Sequence, residues 1–188
     1  PDNGLLGLLA ERAGVAEVRA IDIERHRLPG SEGSPTFHGR DVFAVVGARL
    51  AARRLALADV GPARLPQVVG LDYARPAFDG EAVVGMIPIH DGPFGNVWTN
   101  IDLATFARLG VEPGGALAVE ILHEDAIAFA GRLPFVTTFG DVGEGEALVY
   151  ANSAGTIALA INLGSFAGEH GIGYGPDWRV ELRRTPRP

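Results

Sequence analysis

From about Gln67 onward the chain breaks into short apolar runs, each closed by Gly, Pro or Asp, and this punctuation constrains the fold more than any other feature. The runs are QVVGLD (67–72), EAVVGMI (81–87), NVWTNI (96–101), ALAVEIL (116–122), AIAFA (126–130), ALVY (147–150), TIALAI (156–161) and WRVEL (178–182). Runs of four to eight residues with turn formers between them are too short for packed helices, and their spacing predicts a small barrel or sandwich. DLATFARLG (102–110) and NLGSFAGEH (162–170) read as short helices between strands. The first third has another texture. NGLLGLLAERAG (3–14) spaces leucines for an amphipathic helix ending on glycine, VAEVRAID (15–22) alternates like a strand, and FHGRDVFAVVGARLAARR (37–54) reads as a helix with Thr36 as N-cap. An α/β segment therefore precedes a β-rich one, with the boundary between Leu65 and Gly80.

Composition narrows the function classes. With 188 residues, 47% of them hydrophobic, the chain can bury a real core. No apolar run approaches the roughly 20 residues that cross a bilayer, and the N-terminus lacks the basic-then-apolar order of a signal peptide. We therefore expect no membrane association and a cytoplasmic location. Cysteine is absent, which removes thiolate nucleophiles and zinc–cysteine sites. The net charge of -7 disfavours nucleic acid as a partner. All sixteen basic residues are Arg, so there is no Walker lysine and no Schiff-base lysine.

The stretch HDGPFGNVWTNI (90–101) carries chemistry. Alternation along a strand puts Asn96, Trp98 and Asn100 on one face and Val97, Thr99 and Ile101 on the other. An Asn amide presents a donor and an acceptor in one plane, which matches the edge of adenine, and Phe94 and Trp98 offer stacking area on either side of a base. The pattern equally fits a core Trp98 with turn-capping asparagines. In TFHGRD (36–41), His38 stands at a helix start, where the positive end of the dipole disfavours its protonation and suits it to accept a proton from water. A cap or surface histidine fits the same position, and Arg40 with Asp41 fits an ordinary ion pair. TFGDVG (138–143), YANSAG (150–155) and AINL (160–163) contain turn formers able to present Ser153 and free backbone groups to a ligand, or simply to close a hairpin. His26, His123 and His170 have no ligand partner at metal spacing, and DVGEGE (141–146) lacks the ligand order of a calcium loop, so no metal site is expected.

These stretches, in this order, resemble the S-adenosyl-L-methionine hydroxide adenosyltransferase family, relatives of the bacterial fluorinase and chlorinase. PDNGLL (1–6), TFHGRDVF (36–43), HDGPFGNVWTNI (90–101), TFGDVG (138–143) and NSAG (152–155) with AIN (160–162) carry the likeness across nearly the whole chain. The resemblance implies a partial, Rossmann-like α/β N-terminal domain over residues 1–70 and a C-terminal β-barrel over 71–188. It also implies a homotrimer whose ligand lies between the N-terminal domain of one subunit and the barrel of its neighbour. Carried over residue by residue, it implies that Asp91 and Ser153 hold the methionine amino and carboxylate groups. Asn96 matches the adenine-reading amide, Phe94, Trp98 and Phe139 match aromatic walls, and backbone groups around Ile161 and Leu163 complete the adenine site.

The activity this implies is hydrolysis of S-adenosyl-L-methionine by water to adenosine and L-methionine, with His38 as the base or its relay and no cofactor beyond the substrate. Halide transfer is the nearest alternative, and His38 argues for water. A non-catalytic adenosyl-ligand module is a third reading. Two departures stand out. Family members carry further chain ahead of PDNG, with residues that grip the ribose and an Asp and an Arg that work with the matched His, so the sequence reads as a fragment or as a shortened relative. Ala154 occupies a position where the fluorinating enzymes have Arg.

Overall fold

The computed structural model describes residues 2–185; Pro1, the first residue of the PDNG motif, lies outside them. The chain divides into two compact units, residues 1–72 and 73–188.

In the first unit, helix α1 (Gly7–Ala13) ends on Gly14, whose φ of 75° is one a side chain would resist. Strand β1 (Val18–Arg19) is far shorter than the alternation of 15–22 suggested, and it pairs antiparallel with β2 (Ala63–Arg64). Between them lie α2 (Ile23–His26), capped by the Asp22 side chain on Arg25 N–H, a π-helical turn over Gly39–Phe43, α3 (Ala44–Ala51) and a 3-10 turn over Leu57–Asp59. The helix expected from Phe37 under a Thr36 cap starts two residues later. His38 takes the cap position, and the Asp41 N–H reaches back to Phe37 C=O at 2.9 Å. QVVGLD (67–72) forms no strand. Its Val69 N–H is taken instead by the Asp2 carboxylate at 2.7 Å, a side-chain partner that no ladder supplies.

The second unit is strand-rich. It runs β3 (Ala77–Phe78), β4 (Ala82–Ile87), β5 (Ile89–Asp91), β6 (Asn96–Asp102), α4 (Leu103–Ala107), β7 (Ala116–His123), β8 (Ala126–Pro134), β9 (Ala147–Ala151), β10 (Thr156–Ile161), α5 (Phe166–His170) and β11 (Gly175–Arg184). The strand runs read from the sequence after Gly80 reappear with close boundaries. Their ladders are antiparallel and form two sheets, β5-β6-β10-β9 and β3-β4-β11-β7-β8. The expected β-barrel thus appears, among the described residues, as two separate sheets and not as one closed ladder. Pro88, which has no N–H to give, separates β4 from β5, and one isolated parallel bridge, Phe135–Val149, joins the sheets on the other side.

Alternation builds the main core between those sheets. Val97 and Ile101 on β6 and Ile157, Leu159 and Ile161 on β10 meet Val83 and Ile87 on β4, Leu117, Val119 and Ile121 on β7, and Val180 and Leu182 on β11. Phe106 of α4 and Phe166 of α5 add to it. Gly85 marks the closest approach: a Cβ there would come 2.6 Å from the Asn100 side-chain oxygen and within 3.2 Å of Ile101 Cδ1. The opposite face of the four-stranded sheet carries a second, smaller cluster, Leu148, Ala160 and Val136, flanked by Phe139, Val142 and Tyr150. That face bears the pocket.

Candidate functional site

Strand β6 resolves into the two faces its alternation implies. Val97 and Ile101 are fully buried in the main core. Thr99 joins them, at 2% exposure, by donating its hydroxyl to Ile157 C=O at 2.7 Å and accepting Ile101 N–H at 3.1 Å, so its polar atoms are satisfied inside the core. Across the sheet, register pairs Asp91 with Asn96 and Ala160 with Leu148, and it places Ile89, Trp98, Ala158 and Tyr150 in one row. The small Ala158, with no exposure, is what lets indole and phenol approach each other from strands that are not neighbours.

Asn100 does not join the site. Its Oδ1 accepts Met86 N–H at 2.8 Å and its Nδ2 donates to Ala74 C=O at 2.7 Å, so both ends of the amide bind backbone. Asn96 is different. It is 6% exposed, its Nδ2 donates to Asp91 Oδ2 at 3.3 Å, and it borders an open cavity of about 860 Å³.

That cavity gathers the sequence-derived binding residues. Asp91, Phe94, Asn96, Trp98, Phe139, Ser153, Ile161 and Leu163 all line it. Phe94 sits on the 92–95 turn, whose Phe94 and Gly95 N–H groups both bond Asp91 C=O, at 3.0 and 2.8 Å. The turn is held from behind by α5, since Ala167 N–H donates to Gly95 C=O at 2.9 Å. Phe139 opens a 3-10 turn set by a Thr138–Asp141 capping box and meets Tyr150 edge-on at 4.9 Å. Leu163 stands in the left-handed region at φ 58°, within a turn closed by Gly164 N–H on Ile161 C=O, and its side chain is 80% exposed.

Tyr150, Asn152, Asn162 and Ser165 also line the cavity, although the sequence reading assigned them no role. For Tyr150 the signal was its even spacing from Leu148, which puts both on the face opposite Val149. Burial pushes the Tyr150 hydroxyl above the usual phenol range, the Trp98 indole N–H opposes that rise, and the Asp91 carboxylate adds to it. The Trp98 Nε1–H is buried without a hydrogen bond of good geometry, so the two groups are near each other but not aligned. Asn152 organises the following turn: its Oδ1 accepts Ala154 and Thr156 N–H, its C=O accepts Gly155 N–H, and its Nδ2 donates to Thr156 Oγ1.

His38 belongs to the first unit and has neighbours of its own. A guanidinium nitrogen only donates, so the 3.1 Å contact from Arg27 makes His38 Nε2 an acceptor and leaves the ring proton to Nδ1. The Arg27 fork also reaches Ser31 C=O at 3.2 Å. Arg40 and Asp41 form a bidentate pair at 2.6 and 2.9 Å, but not a surface one, because the Asp41 side chain is wholly buried. The Arg40 hydrogen bond, against the opposing effect of burial, holds the Asp41 carboxyl below its ordinary range; the charges of Arg40 and Arg27 act in the same direction as the bond. His26, read as lying in polar surroundings, is buried and bonds Asp59 C=O at 3.0 Å. His90 bonds Gly173 C=O at 2.9 Å. Among the described residues, no cluster of three or more His, Cys, Asp or Glu side chains is placed to hold a metal ion.

Comparison with known proteins gives consistent matches. Residues 85–179 match the C-terminal domain of SAM hydroxide adenosyltransferases, and residues 1–61 match the N-terminal domain. An (R)-S-adenosyl-L-methionine hydrolase of Salinispora tropica is 37% identical over 184 residues, which cover 96% of this chain and 63% of that protein. A fluorinase of an Actinoplanes species is 34% identical over 171 residues, covering 89% of this chain and 55% of that protein. The crystal structure of a conserved protein from Thermotoga maritima superimposes with a TM-score of 0.82 at 35% identity, over 98% of this chain and 66% of that one. The chain thus spans between 55 and 63% of the length of these two curated relatives.

Proposed function

Since the chain belongs to the SAM hydroxide adenosyltransferase family, we propose that the protein hydrolyses S-adenosyl-L-methionine to adenosine and L-methionine. The observation that carries this reading is the convergence of Asp91, Asn96, Trp98, Phe139 and Ser153, from three separate stretches of sequence, on one cavity. In this reading Asn96 reads the adenine edge and Trp98, Phe94 and Phe139 supply aromatic walls. Asp91 takes the ammonium of the methionine moiety, and Ser153 faces its carboxylate.

The sulfonium makes a neutral thioether an excellent leaving group, so the protein mainly has to align a water oxygen in line with C5′ and remove its proton. The O–C5′ bond forms as the C5′–S bond breaks, the electron pair stays on sulfur, and the water proton passes to His38. In the structure Arg27 holds the ring by donating to His38 Nε2, so that contact gives way when the ring takes up the proton.

Beyond the two units described, the reading takes residues 1–70 as part of a Rossmann-like domain and residues 71–188 as the family's barrel domain. It also takes the working assembly as a trimer with sites shared between subunits. Light scattering that reports a monomer at concentrations where the protein is active would refute the shared site. The test of function is adenosine release from S-adenosyl-L-methionine. Relatives are named for the (R) epimer, so both sulfonium epimers belong in the assay. Because a fluorinase is 34% identical, a second reading is halide transfer; turnover that requires chloride or fluoride would establish it in place of hydrolysis.

A further inference from the structure

The 152–156 turn brings Ser153 to the cavity, and Asn152 sets the orientation in which it arrives. Ser153 is exposed, whereas Asn152 is only 8% exposed. The peptide ahead of Ser153 is fixed by the Asn152 C=O, which accepts Gly155 N–H at 3.1 Å. The peptide behind it is fixed by the Asn152 side chain, whose Oδ1 accepts Ala154 N–H at 3.0 Å. Atoms of one residue thereby set both backbone dihedrals of Ser153, so the direction of its Cα–Cβ bond is determined and χ1 alone is left to vary. The Asn152 amide is itself clamped. Its Oδ1 also accepts Thr156 N–H at 3.1 Å, its Nδ2 donates to Thr156 Oγ1 at 2.9 Å, and its backbone N–H donates to Thr156 C=O at 2.9 Å. Thr156 opens β10 opposite Asp102, beside the bulge whose Ile157 C=O takes the Thr99 hydroxyl at 2.7 Å. Sheet, Thr156, Asn152 and Ser153 form one chain of contacts. These bonds lie within a single turn and the strands that anchor it, so they hold whatever else meets a ligand at this cavity.

We infer that Asn152 is a positioning residue that acts through Ser153, holding this serine in the orientation in which it meets the amino-acid end of the ligand. The inference rests on the adenosyl-site reading above and deepens it. On a turn without the side-chain clamp, Ser153 would be ordered only when the ligand binds, and ordering one residue's backbone lowers affinity by about threefold to tenfold. Adenosine has no amino-acid arm, so its binding does not depend on this orientation. Asn152 itself lines the cavity, but Thr156 lies outside the lining. The Thr156 hydroxyl therefore influences the ligand by way of Asn152 Nδ2 and Ser153, which separates positioning from direct contact.

A double-mutant cycle tests this, read by calorimetric titration of the full protein with S-adenosyl-L-methionine and with adenosine. Ser153→Ala and Asn152→Ala should each weaken S-adenosyl-L-methionine about threefold to tenfold. The double variant should fall within about twofold of the weaker single one, because without the hydroxyl Asn152 has nothing left to orient. Thr156→Val is isosteric and removes only the Nδ2 partner, so it should weaken the same ligand about twofold to threefold and lose that effect in the Ser153→Ala background. It also carries the test should Asn152→Ala fail to fold. Adenosine affinity, the control for a folded site, should stay at the parent value throughout. Losses that multiply in the double variants, or adenosine affinity that falls in parallel, would show a direct or general structural role and overturn the proposal. Parent affinity in Asn152→Ala and Thr156→Val beside a weakened Ser153→Ala would overturn it as well. Parent affinity in Ser153→Ala would take the serine out of ligand binding and the positioning role with it, leaving the rest of the adenosyl site standing. Absence of binding of both compounds by the parent protein would overturn the adenosyl site itself.

Discussion

Replacing Gly95 with Ala is a severe test of how the site is held, because two separate physical terms act at one atom. Gly95 has φ 68°, in the left-handed region, where an L side chain costs about 1–2 kcal/mol. A Cβ at this position would also overlap Ser165 Oγ and stand 2.7 Å from Ser165 Cβ and 3.1 Å from its Cα, so the backbone at the start of α5 has to move. That movement endangers the Ala167 N–H bond to Gly95 C=O, worth about 0.5–1.5 kcal/mol, and the Ser165 cap on Gly168 N–H, worth about 1 kcal/mol. Together these predict that Gly95→Ala lowers unfolding free energy by about 3–4 kcal/mol in urea denaturation. A second substitution discriminates the two terms. Ser165→Gly removes the clashing Oγ and Cβ, and a glycine cap costs only a few tenths of a kcal/mol, so the double variant should recover about half of the loss. Phe94, Asp91 and Asn96 flank this turn, so adenosyl-ligand affinity should fall and recover in parallel with stability. A Gly95→Ala protein within about 1 kcal/mol of the parent, or a Ser165→Gly change that rescues nothing, would refute the steric account.

The other expectations concern chemistry and charge. His38→Ala should leave the Kd for S-adenosyl-L-methionine nearly unchanged and lower kcat about 10²-fold or more; an unchanged kcat removes His38 from the reaction. Asn96→Ala and Trp98→Ala should each weaken adenosyl-ligand binding more than they reduce stability, the first by losing an edge-reading amide and the second by losing a stacking wall, and titration with unchanged affinity in both would reject the adenine site. Asp41 is held below its ordinary pKa in the folded chain, chiefly by Arg40, so its contribution is present above about pH 4 and is lost as pH falls through the lowered value. Arg40→Gln should therefore move the acid-unfolding midpoint to higher pH, and a midpoint that stays put would show that the pair does not stabilise the fold.

Much of this protein was legible one strand at a time. A period of two is local, so β6 could be read as Val97, Thr99 and Ile101 inward and Asn96 and Trp98 outward before any partner strand was known, and the remaining runs after Gly80 followed from the same rule. The end of α1 at Gly14 was equally local, since a helix stop is chosen within a few residues, whereas the Asp102 and Ser165 caps were found in the structure. What the sequence left undetermined depends on neighbours far away along the chain. Asn100 shares a face with Asn96, yet Met86 N–H and Ala74 C=O claim its amide, and only the packing of β4 and the 73–75 segment against β6 decides that. QVVGLD (67–72) has the composition of a strand and finds no ladder to join. The Arg27 contact that sets the His38 tautomer spans eleven positions, and the row that joins Trp98 to Tyr150 needs Ala158 between them on a third strand. Two sheets in place of one closed ladder follow from the same cause. Alternation tells each strand which face to bury, but edge pairing is settled by long-range register, by the Pro88 break and by the bulge between Thr156 and Ala158.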